Sequence, residues 1–370
     1  MDFALSEEQV SLDQAVRDLL ADRFDLRAVR EVVDDPAGDG DPQQLWKELA
    51  EQGWLAVLVP EEHDGLGLGL LDAAVIARRA GAACLPGPYT ATVVAGEAIR
   101  LAGSAEQQLQ WLPKVAAGDV RLALAAHRAG GGWDAAGVGV QVADGALSGR
   151  AVQVEYAHVA DRLVVAAHED GGISLWLVDP TAAGMSLHRV QALDGTTRLA
   201  DVELAGASGE RLAGGAVQVL DEVLARATVL AANDLVGIAR EALRRTVDYD
   251  TTREQFGRPV GSFQALKHRL ADLHVAVTMA EHGGWYAAHA RDAGLADAGL
   301  ALSVAKAKAS DVAREVTAWM IQYHGGIGYT WEHDAHLFFK RAKRLEYAYG
   351  DAGTHRERIA RLVVDRSAAS

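Results

Sequence analysis

The stretch Ala216–Tyr249, AVQVLDEVLARATVLAANDLVGIAREALRRTVDY, decides the fold. Its apolar residues recur at three- and four-residue spacing, so it reads as one helix far beyond the ~11-residue average. Two further helical runs follow, Phe263–Ala290 (FQALKHRLADLHVAVTMAEHGGWYAAHA) and Leu300–Gly326 (LALSVAKAKASDVAREVTAWMIQYHGG). Their Ala-rich seams permit close packing, and a four-helix bundle is the simplest arrangement.

Upstream the texture changes. Between about Arg121 and Glu203 lie short apolar runs, LALAAH, VGVQV, RLVVAA, ISLWLV and LADVEL, bounded by Gly, Asp or Pro. No ~12-residue helical crossover separates them, which predicts antiparallel pairing over a parallel dinucleotide-binding sheet. Earlier still, from Ser6 to about Gly118, the helical period returns in VSLDQAVRDLL, LWKELAEQGWLAVL and LLDAAVIARRAGAACL. Ser6 with Gln9, and Ser104 with Gln107, have the spacing of capping boxes that open helices. The expected fold is α+β and mainly α: an N-terminal helical domain over 1–120, a middle antiparallel β domain over 121–208 and a C-terminal four-helix bundle over 209–370.

Composition narrows the function. With 370 residues, 49% hydrophobic and 24% charged, the chain is an ordinary globular protein of two or three domains. Lys and Arg number 36 against 51 Asp and Glu, a net charge of −15 that repels nucleic acid. Cys84 is the sole cysteine, so an intrachain disulfide and a cysteine zinc site are both excluded, and the chain reads as cytoplasmic. The N-terminus is charged throughout, unlike a signal peptide, and no later run offers the ~20 apolar residues of a membrane span.

Most motif-like features read as ordinary structure. Gly65–Gly69 and Gly130–Gly132 are expected to be turns, because neither has the strand before and helix after of a phosphate loop. His333 and His336 have no evident third ligand, so no metal is assigned. There is no Gly-x-Ser-x-Gly elbow and no cysteine nucleophile. Two segments are harder to dismiss. Arg253-Glu254-Gln255-Phe256-Gly257-Arg258-Pro259, followed by Phe263-Gln264, breaks two long helices with groups able to pair a diphosphate and pack against a base. Gln322-Tyr323-His324-Gly325-Gly326-Ile327-Gly328-Tyr329 ends another helix with approachable backbone N–H groups. On antiparallel helices the two segments meet at one end of the bundle.

Arg-x-Gln-Phe-Gly-x-Pro with a later Gln-x-x-Gly-Gly-x-Gly-Tyr resembles the flavin-dependent acyl-CoA dehydrogenase family. The resemblance spans nearly the whole chain and implies the same order of domains. In that family FAD lies across a subunit interface, one subunit holding the isoalloxazine and its neighbour's bundle holding the diphosphate and adenine. By resemblance, Arg253, Gln255 and Phe256 match the diphosphate-side motif, Phe263 and Gln264 the contact pair after it, and Gln322, Gly325 and Gly326 the adenosine-side segment.

Departures from the family pattern all fall on the other side of the cofactor. Where relatives carry Thr-Glu-Pro-x-x-Gly-Ser-Asp against the flavin ring and CoA, this chain has Ala126-His127-Arg128-Ala129-Gly130-Gly131-Gly132-Trp133-Asp134. The second flavin segment, aromatic-Ile-Thr/Ser-Asn, is matched by Val154-Glu155-Tyr156-Ala157. The catalytic Glu of Tyr-Glu-Gly-Thr is missing from Tyr349-Gly350-Asp351-Ala352-Gly353, and the alternative base position early in the bundle falls on Ala227, with Glu222 more than a helical turn away. Asp351 stands one position past the expected base and suits a helix N-cap.

The resemblance therefore implies a subunit of an FAD-dependent acyl-CoA dehydrogenase, forming a 2-enoyl-CoA from an acyl-CoA thioester. This chain would lack its own base and serve a partner that carries the catalytic Glu, with an electron-transfer flavoprotein as acceptor. Mixed tetramers of this kind occur among actinobacterial enzymes acting on bulky thioesters such as steroid side chains, a subgroup that Cys84-Leu85-Pro86-Gly87-Pro88-Tyr89 also resembles. Two alternatives are a self-sufficient homo-oligomer using Asp351 or an unrecognised base, and a flavin-free structural or acyl-CoA-binding relative.

Overall fold

The computed structural model describes residues 4–214 and 217–365, so Ala216, the first residue of the quoted stretch, lies outside it. The described residues form eleven α-helices: α1 (Glu7–Arg23), α2 (Leu26–Asp34), α3 (Gln43–Glu51), α4 (Leu70–Ala82), α5 (Tyr89–Ala102), α6 (Ala105–Ala117), α7 (Val217–Thr252), α8 (Gln264–Asp292), α9 (Ala298–Tyr323), α10 (Ala335–Tyr347) and α11 (Ala352–Ala360). The strands are β1 (Leu122–Ala125), β2 (Val140–Ala143), β3 (Ala146–Glu155), β4 (Arg162–Glu169), β5 (Gly172–Val178), β6 (Met185–Val190), β7 (Leu199–Ala207), β8 (Glu210–Arg211), β9 (Glu254–Gln255) and β10 (Arg258–Pro259). The order is helical, β, helical, as the sequence implies. Both expected capping boxes are present: the Ser6 and Ser104 hydroxyls accept from the N–H groups of Gln9 and Gln107, whose side chains accept in return.

The chain divides into two compact units, one of residues 1–30, 70–85 and 228–370, the other of 31–69 and 86–227. The first holds the bundle. In α9 Ala301, Ala305, Ala309 and Ala313 are buried at four-residue spacing, the small stripe that lets α8 and α10 approach. Polar pairs cross this core. Arg341 of α10 grips Asp234 of α7 through two hydrogen bonds of 3.0 and 2.6 Å and donates a third to the Leu85 carbonyl at 3.0 Å. Arg78 of α4 pairs with Glu281 of α8 and with Asp13 of α1, and Arg240 of α7 also meets Glu281. Each is a buried charge with its partner, so deleting one member is costly while the intact pair fixes helix register.

The second unit is built on an eight-stranded sheet of order β6-β7-β3-β2-β4-β5-β8, with β1 added beside β4. Its main ladders are antiparallel. β1 and a single residue pair of β2 run parallel to β4, which the long return from Ala126 to Asp161 makes possible for β1. Leu147, Val154, Leu163, Val165, Trp176 and Val202 fill the core of the sheet. Two of its hairpins turn on Asp-Gly pairs with positive φ at both residues, Asp144-Gly145 (51° and 75°) and Asp170-Gly171 (49° and 78°), the dipeptide that a type I′ turn favours.

Candidate functional site

The α7–α8 junction is a miniature hairpin. Glu254–Gln255 pairs antiparallel with Arg258–Pro259, and the two turn residues, Phe256 and Gly257, have φ of 53° and 76°. This is again the type I′ geometry, but with an aromatic residue where Asp or Asn is usual. The strained conformation turns the Phe256 ring outward, 92% exposed. Phe256 meets the half-buried Phe263 edge-on at 6.1 Å, and the Arg258 guanidinium lies 4.1 Å over the Phe263 ring. The base of the hairpin is tied by Arg253 N–H to the Tyr249 carbonyl (2.8 Å) and Val260 N–H to the Arg253 carbonyl (2.8 Å). The Arg253 side chain is exposed and forms no hydrogen bond or ion pair among the described residues; the Gln255 amide donates only to the Glu254 carbonyl, at 2.9 Å. Gln264, also exposed, opens α8.

The second predicted segment closes α9. Gln322 is exposed in the last turn, and Gly325 and Gly326 begin a 3-10 turn, Gly325–Tyr329, on the surface. A Cβ added at either glycine would touch nothing within 4 Å, so both backbones are open to a ligand. Two contacts bring this segment to the hairpin. The buried His324 ring lies 4.4 Å from Tyr249 of the last turn of α7, and the Tyr323 hydroxyl donates to the Leu266 carbonyl in the first turn of α8 at 3.1 Å. His324 Nδ1 lies 2.7 Å from the Met320 carbonyl, and burial holds the ring below the usual histidine range. The His333 ring meets His324 at 4.3 Å, tilted by 48°, and accepts the Ala335 N–H, while His336 stacks on Trp331 at 4.4 Å. The surface assembled at this end of the bundle carries a free guanidinium, exposed amides, a projecting aromatic ring and uncovered glycine backbone. It fits the phosphate and aromatic parts of FAD.

Asp250, three residues before Arg253, gave no signal in the sequence. Its carboxylate is 1% exposed, and neither oxygen has a partner among the described residues. Burial pushes it up to about 6.

The segment expected to hold a base is built differently. Tyr349 and Gly350 have φ of 59° and 97°, a backbone that strains any side chain at 350, and a Cβ there would stand 3.2 Å from His355 Nε2. Asp351 is the N-cap of α11: its Oδ1 accepts the Thr354 N–H and hydroxyl, both at 2.7 Å, which holds it below the usual carboxylate range. Beneath the loop Lys306, wholly buried, donates to the Gly350 carbonyl (2.8 Å), the Glu346 carbonyl (3.1 Å) and Ser310 Oγ (3.2 Å), and burial lowers it to about 8. His355 Nε2 lies 3.1 Å from the Tyr349 carbonyl, its ring lowered to about 4 by burial and by Lys306. Ala227 at the alternative base position is fully buried, and Glu222 is ion-paired with Arg226 at 2.8 Å.

In the other unit, the two segments matching the family's flavin-ring contacts are spent internally. His127 stacks on Trp133 at 3.7 Å, and the Asp134 side chain caps the Gly137 N–H. Tyr156, with φ 55°, is buried: its hydroxyl accepts the Gly87 N–H at 2.7 Å and donates to the Thr196 carbonyl at 3.1 Å. Periodicity could not have shown that this tyrosine anchors the Leu-Pro-Gly-Pro loop.

Residues 6–119 match the family model of the acyl-CoA dehydrogenase N-terminal domain, and residues 213–364 that of the C-terminal domain. The chain is 34% identical over 341 residues to acyl-CoA dehydrogenase IpdE2 of Mycobacterium tuberculosis, covering 91% of each protein. The solved structure of a Tcur3481-Tcur3483 steroid ACAD variant agrees with a TM-score of 0.89 at 32% identity, over 98% of this chain and 99% of that one. The ChsE4-ChsE5 complex from Mycobacterium tuberculosis gives 0.88 at 28% identity over 99% of both chains. The motifs, the order of elements and these full-length likenesses converge: the chain belongs to the acyl-CoA dehydrogenase family, oxidoreductases that act on CH–CH donors with FAD as cofactor.

Proposed function

We propose that this chain is the non-catalytic subunit of a heteromeric acyl-CoA dehydrogenase. It would clamp the diphosphate and adenosine half of a partner's FAD through Arg253, Gln255, Phe256, Phe263, Gln264, Gln322, Gly325 and Gly326. The observation that carries the reading is the contrast between a free guanidinium at Arg253 and a base loop whose Gly350 backbone, at φ 97°, is hostile to a glutamate. FAD held by these residues and the partner would supply the hydride acceptor for α,β-dehydrogenation of an acyl-CoA thioester, with a carboxylate taking the α-proton. In this reading the base is the partner's glutamate. What this chain contributes is charge-assisted pairing of the diphosphate and a rigid end of the bundle against the partner.

The relatives support the pairing and the substrate class. One solved neighbour is named as a steroid ACAD and another as a two-protein complex, and on that footing we assign a bulky acyl-CoA thioester and a partner subunit; an electron-transfer flavoprotein as acceptor follows from the family resemblance and a cytoplasmic setting from the single cysteine. The domain division at 120 and 208 is retained as part of this proposal, the third domain supplying the clamp. Among the described residues no helix is long and apolar enough to cross a membrane.

Co-purification with the product of a neighbouring gene, followed by flavin counting per chain, tests the assignment. The expected result is firm flavin only in the mixed oligomer. One tightly bound FAD per chain in an active homo-oligomer would overturn it and transfer the chemistry to Asp351 or another base.

A further inference from the structure

The hairpin clamp stands on an unpaired, buried carboxylate. Asp250 sits in the last turn of α7, and both of its oxygens lack a partner. Gly261, directly after the hairpin, packs on it so closely that an added Cβ would lie 3.2 Å from the Asp250 Cβ. The next residue, Ser262, buries a hydroxyl that is also without a partner. The backbone around it is paired: the Arg253 N–H bonds to the Tyr249 carbonyl and the Val260 N–H to the Arg253 carbonyl, and the Tyr323 hydroxyl is held by the Leu266 carbonyl. Glu254 in the hairpin and Asp248 in α7 are exposed acids; Asp250 is the acid here that is buried with both oxygens unpartnered among the described residues.

We propose that Asp250 is a positioning residue that sets the strength of the flavin clamp according to its own protonation. Neutral, it is a compact polar filler beneath the turn. Ionised, it places a buried negative charge behind the surface that must receive a diphosphate, and it pays for desolvation with no hydrogen bond, which loosens the packing of Gly261 and Ser262 under Arg253.

The surroundings leave this charge unopposed. On α7 itself the ionisable neighbours are Tyr249, Asp248, which is exposed and paired with Arg244 at 2.6 Å, and the exposed Arg253, and Glu254 follows in the hairpin, also exposed. From α9, Tyr323 feels the Asp250 charge and is raised by burial and by it, while His324 is stacked on Tyr249 and lowered by burial. From α8, Arg269 acts on Tyr323 and is paired with Glu315. The turn Val260–Ser262 contributes no charge. Burial alone raises Asp250, to about 6. Because the folded value lies above that of an exposed carboxyl, the benefit is complete below about pH 4 and is lost as pH rises through about 6.

This inference rests on the clamp reading and can fail separately from it. The test is equilibrium dialysis of FAD against the assembled enzyme from pH 5 to 8, for the wild type, Asp250→Asn and Arg253→Ala, with melting curves of the flavin-free chain alongside. Wild-type affinity should fall about three- to ten-fold across pH 6, the size expected of one solvent-screened unit charge acting on an anion. Asp250→Asn should lose that step and keep the stronger affinity at pH 8, and its melting temperature should lose the matching pH dependence. Parallel profiles for wild type and Asp250→Asn, or weaker FAD binding by Asp250→Asn at every pH, would overturn the proposal. If Arg253→Ala leaves FAD affinity unchanged, the clamp reading itself fails; if it weakens affinity while the two profiles stay parallel, only the role of Asp250 fails.

Discussion

Two aromatic-glycine pairs in the bundle share one backbone geometry and lead opposite lives. Phe256-Gly257 and Tyr349-Gly350 each place both residues at positive φ. Around the first, the ring stands in solvent, Arg253 at the base of the hairpin has no hydrogen bond or ion pair among the described residues, and Gly257, Gly325 and Gly326 have open space beside them. Around the second, the Tyr349 and Gly350 carbonyls are met by His355 and Lys306, and the following aspartate is bound to Thr354. Strain of this kind costs about 1–3 kcal/mol wherever it occurs. At the first turn only a two-pair ladder and the edge-on Phe256–Phe263 contact offset it, and the Phe256 ring stays 92% exposed. At the second the chain's own hydrogen bonds offset it, and Asp351 Oδ1 is engaged by Thr354. In relatives the second position is where the base is expected. Here that loop is tied into the interior by Lys306 and His355, while the first stands in solvent, the contrast on which the proposed division of labour rests.

The sharpest way to separate the two is to damage each and ask which property suffers. Lys306→Met should give the largest change, a loss of about 2–4 kcal/mol by urea unfolding, because the Gly350 and Glu346 carbonyls are left unpaired in the interior. FAD affinity of the assembled protein should move little; a primary loss of flavin would mean that the two regions are not independent. Arg253→Ala should do the reverse, weakening FAD about ten- to a hundred-fold, or about 1.5–3 kcal/mol, with an unchanged melting temperature. Arg253→Lys should recover only part of that, since an ammonium lacks the planar fork. A lowered melting temperature with intact flavin binding would demote Arg253 to a helix-end charge. A smaller effect is expected of Gly257→Ala, where a Cβ meets no neighbour and the left-handed backbone alone costs about 1 kcal/mol. Titrating FAD into that variant should show the loss in affinity as well as in stability, because the turn carries the clamp. The least change belongs to Asp351→Asn, which keeps an N-cap acceptor: turnover of the assembled enzyme should stay within a few-fold, whereas loss of a true base removes about 10²–10⁴.

Much of this architecture was legible because it rests on local rules. The helices at Ser6 and Ser104 announce themselves through capping boxes, and the bundle through Ala-rich helical period in α7, α8 and α9. The hairpin at 254–259 reads in the sequence only as a break, since Phe-Gly is not the Asp-Gly signal that marks its counterparts in the sheet. Parallel pairing of β1 with β4 is likewise hidden: its partners, Leu122 and Arg162, are brought together by a return of about forty residues that no local pattern encodes. Asp250 and Lys306 look like any surface charges on amphipathic helices. Only their burial, 1% and 0% exposed, reveals one as unpaired and the other as a three-way donor.

A two-residue connection also dictates where the chain can be lengthened. At Asp170-Gly171 the loop joins two strands of a large sheet, and nothing lies within 4 Å of a Cβ added at Gly171. An inserted tag or fluorophore-bearing loop there disturbs one end of one ladder. At Phe256-Gly257 the ladder is only two residue pairs long. One inserted residue would exchange the type I′ turn for a three-residue loop and shift the Arg258 side chain away from Phe263. The same geometry is thus a convenient graft point in the β domain and a place intolerant of insertion at the end of the bundle where the flavin clamp is proposed.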